Sequence, residues 1–269
     1  MFLFNLFKRK VYTPKIGLAL GSGGAKGLAH IGALKAFEEN GVTFDYIAGA
    51  SIGSIVGAFY SNGYTSNEIM HLLETVNFKD IISRVMVKMD TVRLEDVLNR
   101  YIGDLDFNEL KKPFVAVATE LETGKEFDIS SGSVAKALCA SSSMPPFFKA
   151  VEIDGKYYID GAFSNSVPAD LVKNMGADYV VGIDLGAFKK ESKAGFIGGL
   201  FTNVKFDRVD ASKKGYEFSD TMLRPNLSEF SPISFGSFNE MYEIGYNTAM
   251  EQMEKIKRDI KNIKRRKVN

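Results

Sequence analysis

A chain of 269 residues is long enough for one large α/β domain with a sizeable core, and 45% hydrophobic and 25% charged residues make an ordinary globular composition. A formal net charge of +1 gives no global attraction to polyanions, so no nucleic-acid partner is expected. Cys139 is the single cysteine, which excludes an internal disulfide and a multi-cysteine zinc site; between Leu138 and Ala140 it reads as a small buried helical residue.

No apolar run approaches the ~20 residues needed to span a bilayer. Met1–Lys10 (MFLFNLFKRK) has its basic cluster after the apolar stretch and offers no A-x-A site, the wrong order for a secretory signal. The expected location is cytoplasmic.

Lys15–Leu20 (KIGLAL) predicts a short buried strand running into Gly21-Ser22-Gly23-Gly24. A helical pattern follows from Ala25 to about Asn40, where Gly41 stops it. Tyr46–Ala50 predicts a second strand and Ile52–Asn62 a second helix. Strand, glycine-rich turn, helix, strand, tight turn, helix is the rhythm of a parallel α/β sheet. Further helices are predicted at Ser66–Thr75, Lys79–Val87 and Arg93–Ile102. Phe114–Glu120 and Lys125–Ser130 read as strands joined through Thr123-Gly124, and Ser133–Ser141 as a helix. Val151–Ile153 and Lys156–Ile159 flank Asp154-Gly155, a hairpin signal. Pro168–Met175 predicts a helix and Tyr179–Asp184 a last buried strand. Lys189–Phe206, with Gly195-Phe196-Ile197-Gly198-Gly199-Leu200-Phe201, reads as a mobile apolar loop, and a long helix runs from about Phe238. The reading is an N-terminal segment 1–14, a catalytic domain 15–187, and a loop with a C-terminal helical extension, 188–269, packed on the same domain.

Gly49-Ala50-Ser51-Ile52-Gly53 fits G-x-S-x-G. In that motif the serine sits on a strained strand-to-helix turn, with small residues at −2 and +2 because strand and helix crowd there. A plain βα turn that happens to carry serine fits equally. Gly21–Gly27 also links strand to helix, and three chemistries compete for it. A phosphate-binding P-loop needs a final Gly-Lys-Ser/Thr, whereas Lys26 is followed by Gly27-Leu28. A dinucleotide fingerprint needs an acid ending the next strand, where this chain has Ala50-Ser51. An oxyanion hole needs backbone N–H groups at a helix start, which Gly23 and Gly24 supply without a Cβ in the way. The third fits best, with Lys26 bracing the loop or adding positive potential.

A serine nucleophile needs a base, and the chain has only His30 and His71. His30 lies in the first helix and reads as a packed or hydrogen-bonded residue, His71 as a half-exposed helical one. The remaining candidate is Asp160, emerging from the apolar Tyr157-Tyr158-Ile159 strand, a setting that raises a carboxyl pKa. A simple Asp-Gly turn is the competing reading.

The glycine-rich turn, the serine elbow and Asp160-Gly161-Ala162, in this order and at comparable spacing, resemble the patatin-like phospholipases, whose Ser-Asp dyad does without histidine. The resemblance covers about Lys15 to Leu185 and includes Ala140-Ser141-Ser142-Ser143-Met144-Pro145. It implies a three-layer α/β/α fold with a mainly parallel central sheet. It also implies Ser51 as nucleophile, Asp160 as base, Gly23 and Gly24 as oxyanion donors and Lys26 as the loop's basic position. Gly49 and Gly53 complete the elbow, and Gly161 and Ala162 the Asp-Gly-Ala motif. Ser22 departs from the family, which often has glycine there.

The implied function is hydrolysis of phospholipid, lysophospholipid or another fatty-acyl ester, with no cofactor and no metal. A non-catalytic lipid- or acyl-binding regulator on the same fold is the alternative. A nucleotide-binding protein lacks the acid and the Gly-Lys-Ser/Thr it needs. Lys255–Asn269 holds eight Lys/Arg against one acid, Asp259. Together with the apolar-then-basic start and the Phe196–Phe201 loop, this leaves two readings open: peripheral contact with an anionic membrane at its inner face, and a solvated charged tail.

Overall fold

In a computed structural model of the chain, residues 12–75, 91–186, 210–232 and 237–267 are described. The predicted helix at Lys79–Val87, the loop at Lys189–Phe206 and the segment Met1–Lys10 lie outside these residues.

Eight strands form one sheet among the described residues: β1 (Ile16–Leu20), β2 (Tyr46–Ala50), β3 (Phe114–Glu120), β4 (Glu126–Ile129), β5 (Val151–Ile153), β6 (Lys156–Asp160), β7 (Tyr179–Ile183) and β8 (Thr221–Leu223). Their order is β5-β6-β3-β2-β1-β7-β8, with β4 pairing β3 off this path. The run β3-β2-β1-β7-β8 is parallel, and β4, β6 and β5 join antiparallel. The sheet is therefore mixed, with a parallel centre.

The central strands alternate large and small side chains. Ile16, Leu18 and Leu20 of β1, with Phe114 of β3 and Val181 and Ile183 of β7, pack one face. Against it lie α1 (Leu28–Glu39), α2 (Ile52–Ser61), α3 (Ser66–Thr75), α4 (Thr91–Ile102), α5 (Val134–Ser141) and a long C-terminal helix. Ala19, Ala48, Ala50, Val115 and Val117 pack the other face, where α6 (Ala169–Asn174) supplies Leu171 and Val172. The small side chains let α6 sit close, so a Cβ on Gly17 would press into Val172. Helices on both faces make the three layers.

One consequence of the pairing positions the site. β3 gives one edge to β4 from Ala116 to Thr119. Its other edge is shared end to end: β2 pairs there up to Val117, and β6 pairs from Ala118 onward, with Ala118 opposite Asp160. The ends of β2 and β6 therefore meet at adjacent residues of one strand.

The structure departs from the sequence reading at three places. The turn before α1 is a 3-10 helix, Gly24–Gly27, and α1 proper starts at Leu28, not Ala25. The Ala25 amide is taken by the Pro232 carbonyl at 2.7 Å, which ties this turn to a segment far along the chain. Tyr179–Ile183 is also not the last strand: a helix, α7 (Lys213–Phe218), and β8 follow, with β8 parallel to β7. Three residues, Thr221-Met222-Leu223, are too short to show a period. His71 is exposed, not half-exposed.

The last helix, α8 (Phe238–Arg266), buries Met241, Gly245, Ala249, Met253 and Ile256. It crosses α1 backbone to backbone: a Cβ on Gly32 would run into the Tyr242 carbonyl, and one on Gly245 into the Ala29 carbonyl. α8 begins at Phe238, which shares a cleft with Gly24 and Ile52 at the carboxyl ends of the strands. It ends where Lys267 meets Asp178, just before β7. At ~1.5 Å rise per residue its basic end lies about 40 Å from that cleft, at the amino ends of the strands.

Candidate active site

β2 ends at Ala50 and α2 starts at Ile52, so Ser51 alone makes the turn, at φ 55° and ψ −127°. A positive φ costs a non-glycine residue strain, which persists only where surrounding contacts hold it. Those contacts explain the flanking glycines. A Cβ on Gly49 would strike the Gly53 carbonyl, and one on Gly53 would strike the carbonyls of Leu20 and Gly21. The strand, the helix and the glycine-rich turn thus meet at this point.

Ser51 Oγ donates to Asp160 Oδ2 at 2.7 Å. Ser51 N–H donates to Ser141 Oγ at 3.0 Å, and Ser54 Oγ donates to the Ser51 carbonyl at 2.6 Å. Asp160 is completely buried. Its Oδ1 accepts the Ala162 amide at 2.9 Å. Its main chain is held on both sides, with N–H to the Ser143 carbonyl at 3.1 Å and carbonyl from Thr119 Oγ1 at 2.9 Å. Gly161 is pressed against the Val117 carbonyl. Burial drives the Asp160 pKa up to about 7, against the opposing pull of the Ser51 hydroxyl and the Ala162 amide. A carboxyl at that value changes charge near neutrality, as a proton acceptor must.

In the glycine-rich turn the amides of Gly21, Ser22, Ala25 and Lys26 are each bound, to the carbonyls of Ile183, Ser166, Pro232 and Gly23. Among the described residues those of Gly23 and Gly24 have no acceptor. Gly24 adopts φ 58°, and a Cβ there would run into the Pro232 carbonyl. Amides without an acceptor at the start of a helical turn are the kind of group that binds anions. A Cβ on Gly27 would strike Ile52, so the turn lies against the residue that follows Ser51. Lys26 is buried and lines a polar cavity with Ser166, Asp184, Tyr216 and Arg224. Gly24, Ala25 and Gly27 line an apolar cleft with Ile52, Leu73 and Phe238. A second apolar cleft continues from Ile52 and Leu73 to Phe59 and Tyr101.

His30 is fully buried, with Nε2 2.7 Å from the Gly21 carbonyl and Nδ1 unpartnered. Burial pushes its pKa down to about 4, so it is neutral at pH 7 and Nε2–H is the donor. It acts as a prop for the glycine turn. Cys139 is fully buried, and burial raises its thiol pKa.

Several supports escape the sequence reading. Ser141 and Thr119 are invisible as site residues because they act through a neighbour's main chain. The available signal for Ser141 is a polar residue directly after the apolar run Ala137-Leu138-Cys139-Ala140, since a buried polar residue needs a partner. Asn165 Nδ2 donates to Glu126 at 2.7 Å and Asp170 at 2.8 Å, anchoring the loop after Ala162 to β4 and α6.

The family model described as "Patatin-like phospholipase" matches residues 18–173, which include the glycine turn, the elbow and Asp160-Gly161-Ala162. The chain belongs to this family. Among curated patatin-like relatives, "Neuropathy target esterase sws" of Drosophila melanogaster is 24% identical, over 90% of this chain and 20% of that protein. "Lysophospholipase nte1" of Aspergillus fumigatus is 24% identical, over 94% and 19%. "Patatin-like phospholipase domain-containing protein 6" of Mus musculus is 27% identical, over 90% and 21%. The chain thus spans about a fifth of the length of these relatives. Among solved structures, VipD from Legionella pneumophila superposes with TM-score 0.60 at 15% identity, over 91% of this chain and 67% of that one. The type III effector protein ExoU does so with TM-score 0.52 at 12% identity, over 90% and 53%. Both likenesses speak to the patatin-like fold alone.

Proposed function

We propose that the chain is a serine lipid acyl hydrolase, of phospholipase, lysophospholipase or carboxylesterase type, with Ser51 as nucleophile and Asp160 as base. The supporting observation is the 2.7 Å hydrogen bond from a strained elbow serine to a fully buried carboxyl group. Family membership supports lipid hydrolysis in general; the individual roles are the proposal. Asp160 takes the Ser51 proton as Oγ attacks the ester carbonyl, and the Gly23 and Gly24 amides bind the oxyanion. The proton passes to the departing alcohol, leaving an acyl-Ser51 ester. Water, deprotonated by Asp160, then attacks the acyl carbonyl, and the proton returns to Ser51 Oγ as the fatty acid leaves. The clefts beside Ile52 are apolar but narrow, about 20 Å³ each, so an acyl chain would lie along their rim or widen them. The catalytic unit in this proposal is 15–187, and the described parts of the extension, with α7, β8 and α8, belong to the same domain.

The base must be ionised, so kcat/KM is expected to rise about tenfold per pH unit and level off above about pH 7. A flat profile from pH 5 to 8 would argue against Asp160. An organophosphonate probe should label the Ser51 peptide, as read by mass spectrometry. No labelling, together with no hydrolysis across a lysophospholipid and short-ester panel, would leave the lipid-binding regulator in its place.

No helix among the described residues is long and apolar enough to cross a membrane. We propose a cytoplasmic protein whose basic α8 end makes peripheral contact with anionic lipid. That end lies far from Ser51, so such contact would tether the molecule without itself delivering lipid to the serine. Co-sedimentation should favour anionic over neutral liposomes and weaken with salt; equal binding to both would dismiss the contact.

A further inference from the structure

The polar cavity beside the glycine turn is not used by the chemistry above. It encloses about 490 Å³, within the roughly 300–1,000 Å³ of small-molecule sites. Its walls come from the carboxyl ends of β7 and β8: Asp184 and Leu185 follow β7, and Arg224 follows β8. Ligands of open α/β sheets collect at this edge, because the loops there diverge and leave a crevice. Strand order then sets the distances. Along β2-β1-β7-β8 the loops carry Ser51, the glycine turn with Lys26, Asp184 and Arg224 in that order. At about 4.8 Å per strand, the β7 loop stands about 10 Å from Ser51 and the β8 loop about 14 Å. The apolar cleft at Ile52 and Leu73 is lined by other residues of the same turn, Gly24, Ala25 and Gly27, and shares no residue with the polar cavity. An amphiphile with its carbonyl at Ser51 therefore finds an apolar surface and a separate polar chamber.

The lining carries two carboxylates and two cations, so its partnering more than its net charge indicates what it takes. Both carboxylates keep their charge but already accept hydrogen bonds from the chain itself. Asp184 accepts the Gly186 amide at 2.8 Å and the Tyr216 hydroxyl at 2.6 Å. Asp210 accepts the Ser212 amide at 3.2 Å and hydroxyl at 2.7 Å. Arg224 is different: its guanidinium stands 5.6 Å from the Tyr216 ring centre, and among the described residues it pairs with no carboxylate. This cation–π contact holds the guanidinium beside the cavity, and a guanidinium's planar fork suits two phosphate oxygens. Lys26 adds a second positive charge from the glycine turn.

We propose that this cavity is the head-group subsite, in which Arg224 binds the phosphate of a phosphodiester-bearing lipid ester whose carbonyl lies at Ser51. The inference rests on the hydrolase reading. In a glycerophospholipid the phosphorus is only a few bonds from the ester carbonyl, so it lies on the Lys26 and β7 side, within reach of Arg224.

The test compares a lysophosphatidylcholine with a monoacylglycerol of the same chain length. Arg224→Met is expected to lower the ratio of their kcat/KM values about tenfold or more, and Arg224→Lys to lower it less. An unchanged ratio overturns the subsite. Glycerophosphocholine should inhibit monoacylglycerol hydrolysis by the native protein and do so more weakly in Arg224→Met. Equal potency of inorganic phosphate would mark a free-anion site and overturn the head-group assignment. If the native protein hydrolyses neither ester, the hydrolase reading fails on its own. The subsite is then still tested by the thermal shift with glycerophosphocholine, which is expected in the native chain and lost in Arg224→Met; its persistence in the variant overturns the subsite.

Discussion

Asp160→Asn is expected to lower kcat on lipid esters by about 10⁴-fold, and Ser51→Ala by up to about 10⁶-fold, while both variants stay folded. The asparagine variant is informative because it keeps the geometry. Its Oδ1 can still accept the Ala162 amide, and its Nδ2 can face Ser51 Oγ, where the carboxylate oxygen now stands 2.7 Å away. What disappears is the ability to accept a proton. Turnover near the native rate by either variant, with pre-steady-state acylation intact, would sink the dyad.

The same variant should be more stable at high pH. The folded-state pKa of Asp160, about 7, is raised above the ordinary aspartate value of 3.8, so the native state keeps a proton that the unfolded chain has released. Native stability is then lost as pH rises from about 4 to about 7. At roughly 1.4 kcal/mol per pKa unit the effect reaches several kcal/mol at most. Asparagine carries no charge to desolvate, so its Tm advantage should widen from pH 5 to pH 8. A gap that stays constant across that range would mean that Asp160 titrates alike in both states.

The second large effect is on stability. Gly245→Val is expected to cost about 2–3 kcal/mol, or roughly 5–10 °C in Tm. The two helices touch through their main chains here, so no rotamer change can make room for the new side chain. α8 must shift outward, which loosens the packing of Met241, Ala249 and Met253, all fully buried. Because Ala29 lies in the first turn of α1, just after the glycine turn, activity should fall as well. Thermal unfolding followed by circular dichroism reads the first effect. A Tm within 2 °C of native, the size of ~0.5 kcal/mol, would show that the crossing is looser than the structure indicates.

Much of this architecture was legible in the residues because it depends on local physics. The strand at Ile16–Leu20, the elbow at Ser51 and the hairpin at Asp154-Gly155 are determined by period, by crowding and by positive φ. Both hairpin residues do take positive φ, 50° and 77°. β8 was not legible, because three residues carry no period and their place comes from β7. Nor was the 3-10 form of Gly24–Gly27, which answers to the Pro232 carbonyl more than two hundred residues away.

The serine and the aspartate divide along the same line. By itself the sequence determined that Ser51 sits on a strand-to-helix turn and that no histidine is offered at a loop beyond the sheet. It also determined that Asp160 leaves an apolar strand. Only the tertiary structure decided that the two meet, since β2 and β6 share one edge of β3 and end at neighbouring residues of it. It also decided that burial lifts the carboxyl to about 7. Both outcomes depend on pairing between segments distant in the chain, and desolvation is a property of everything packed around a group rather than of the group's own neighbours in sequence.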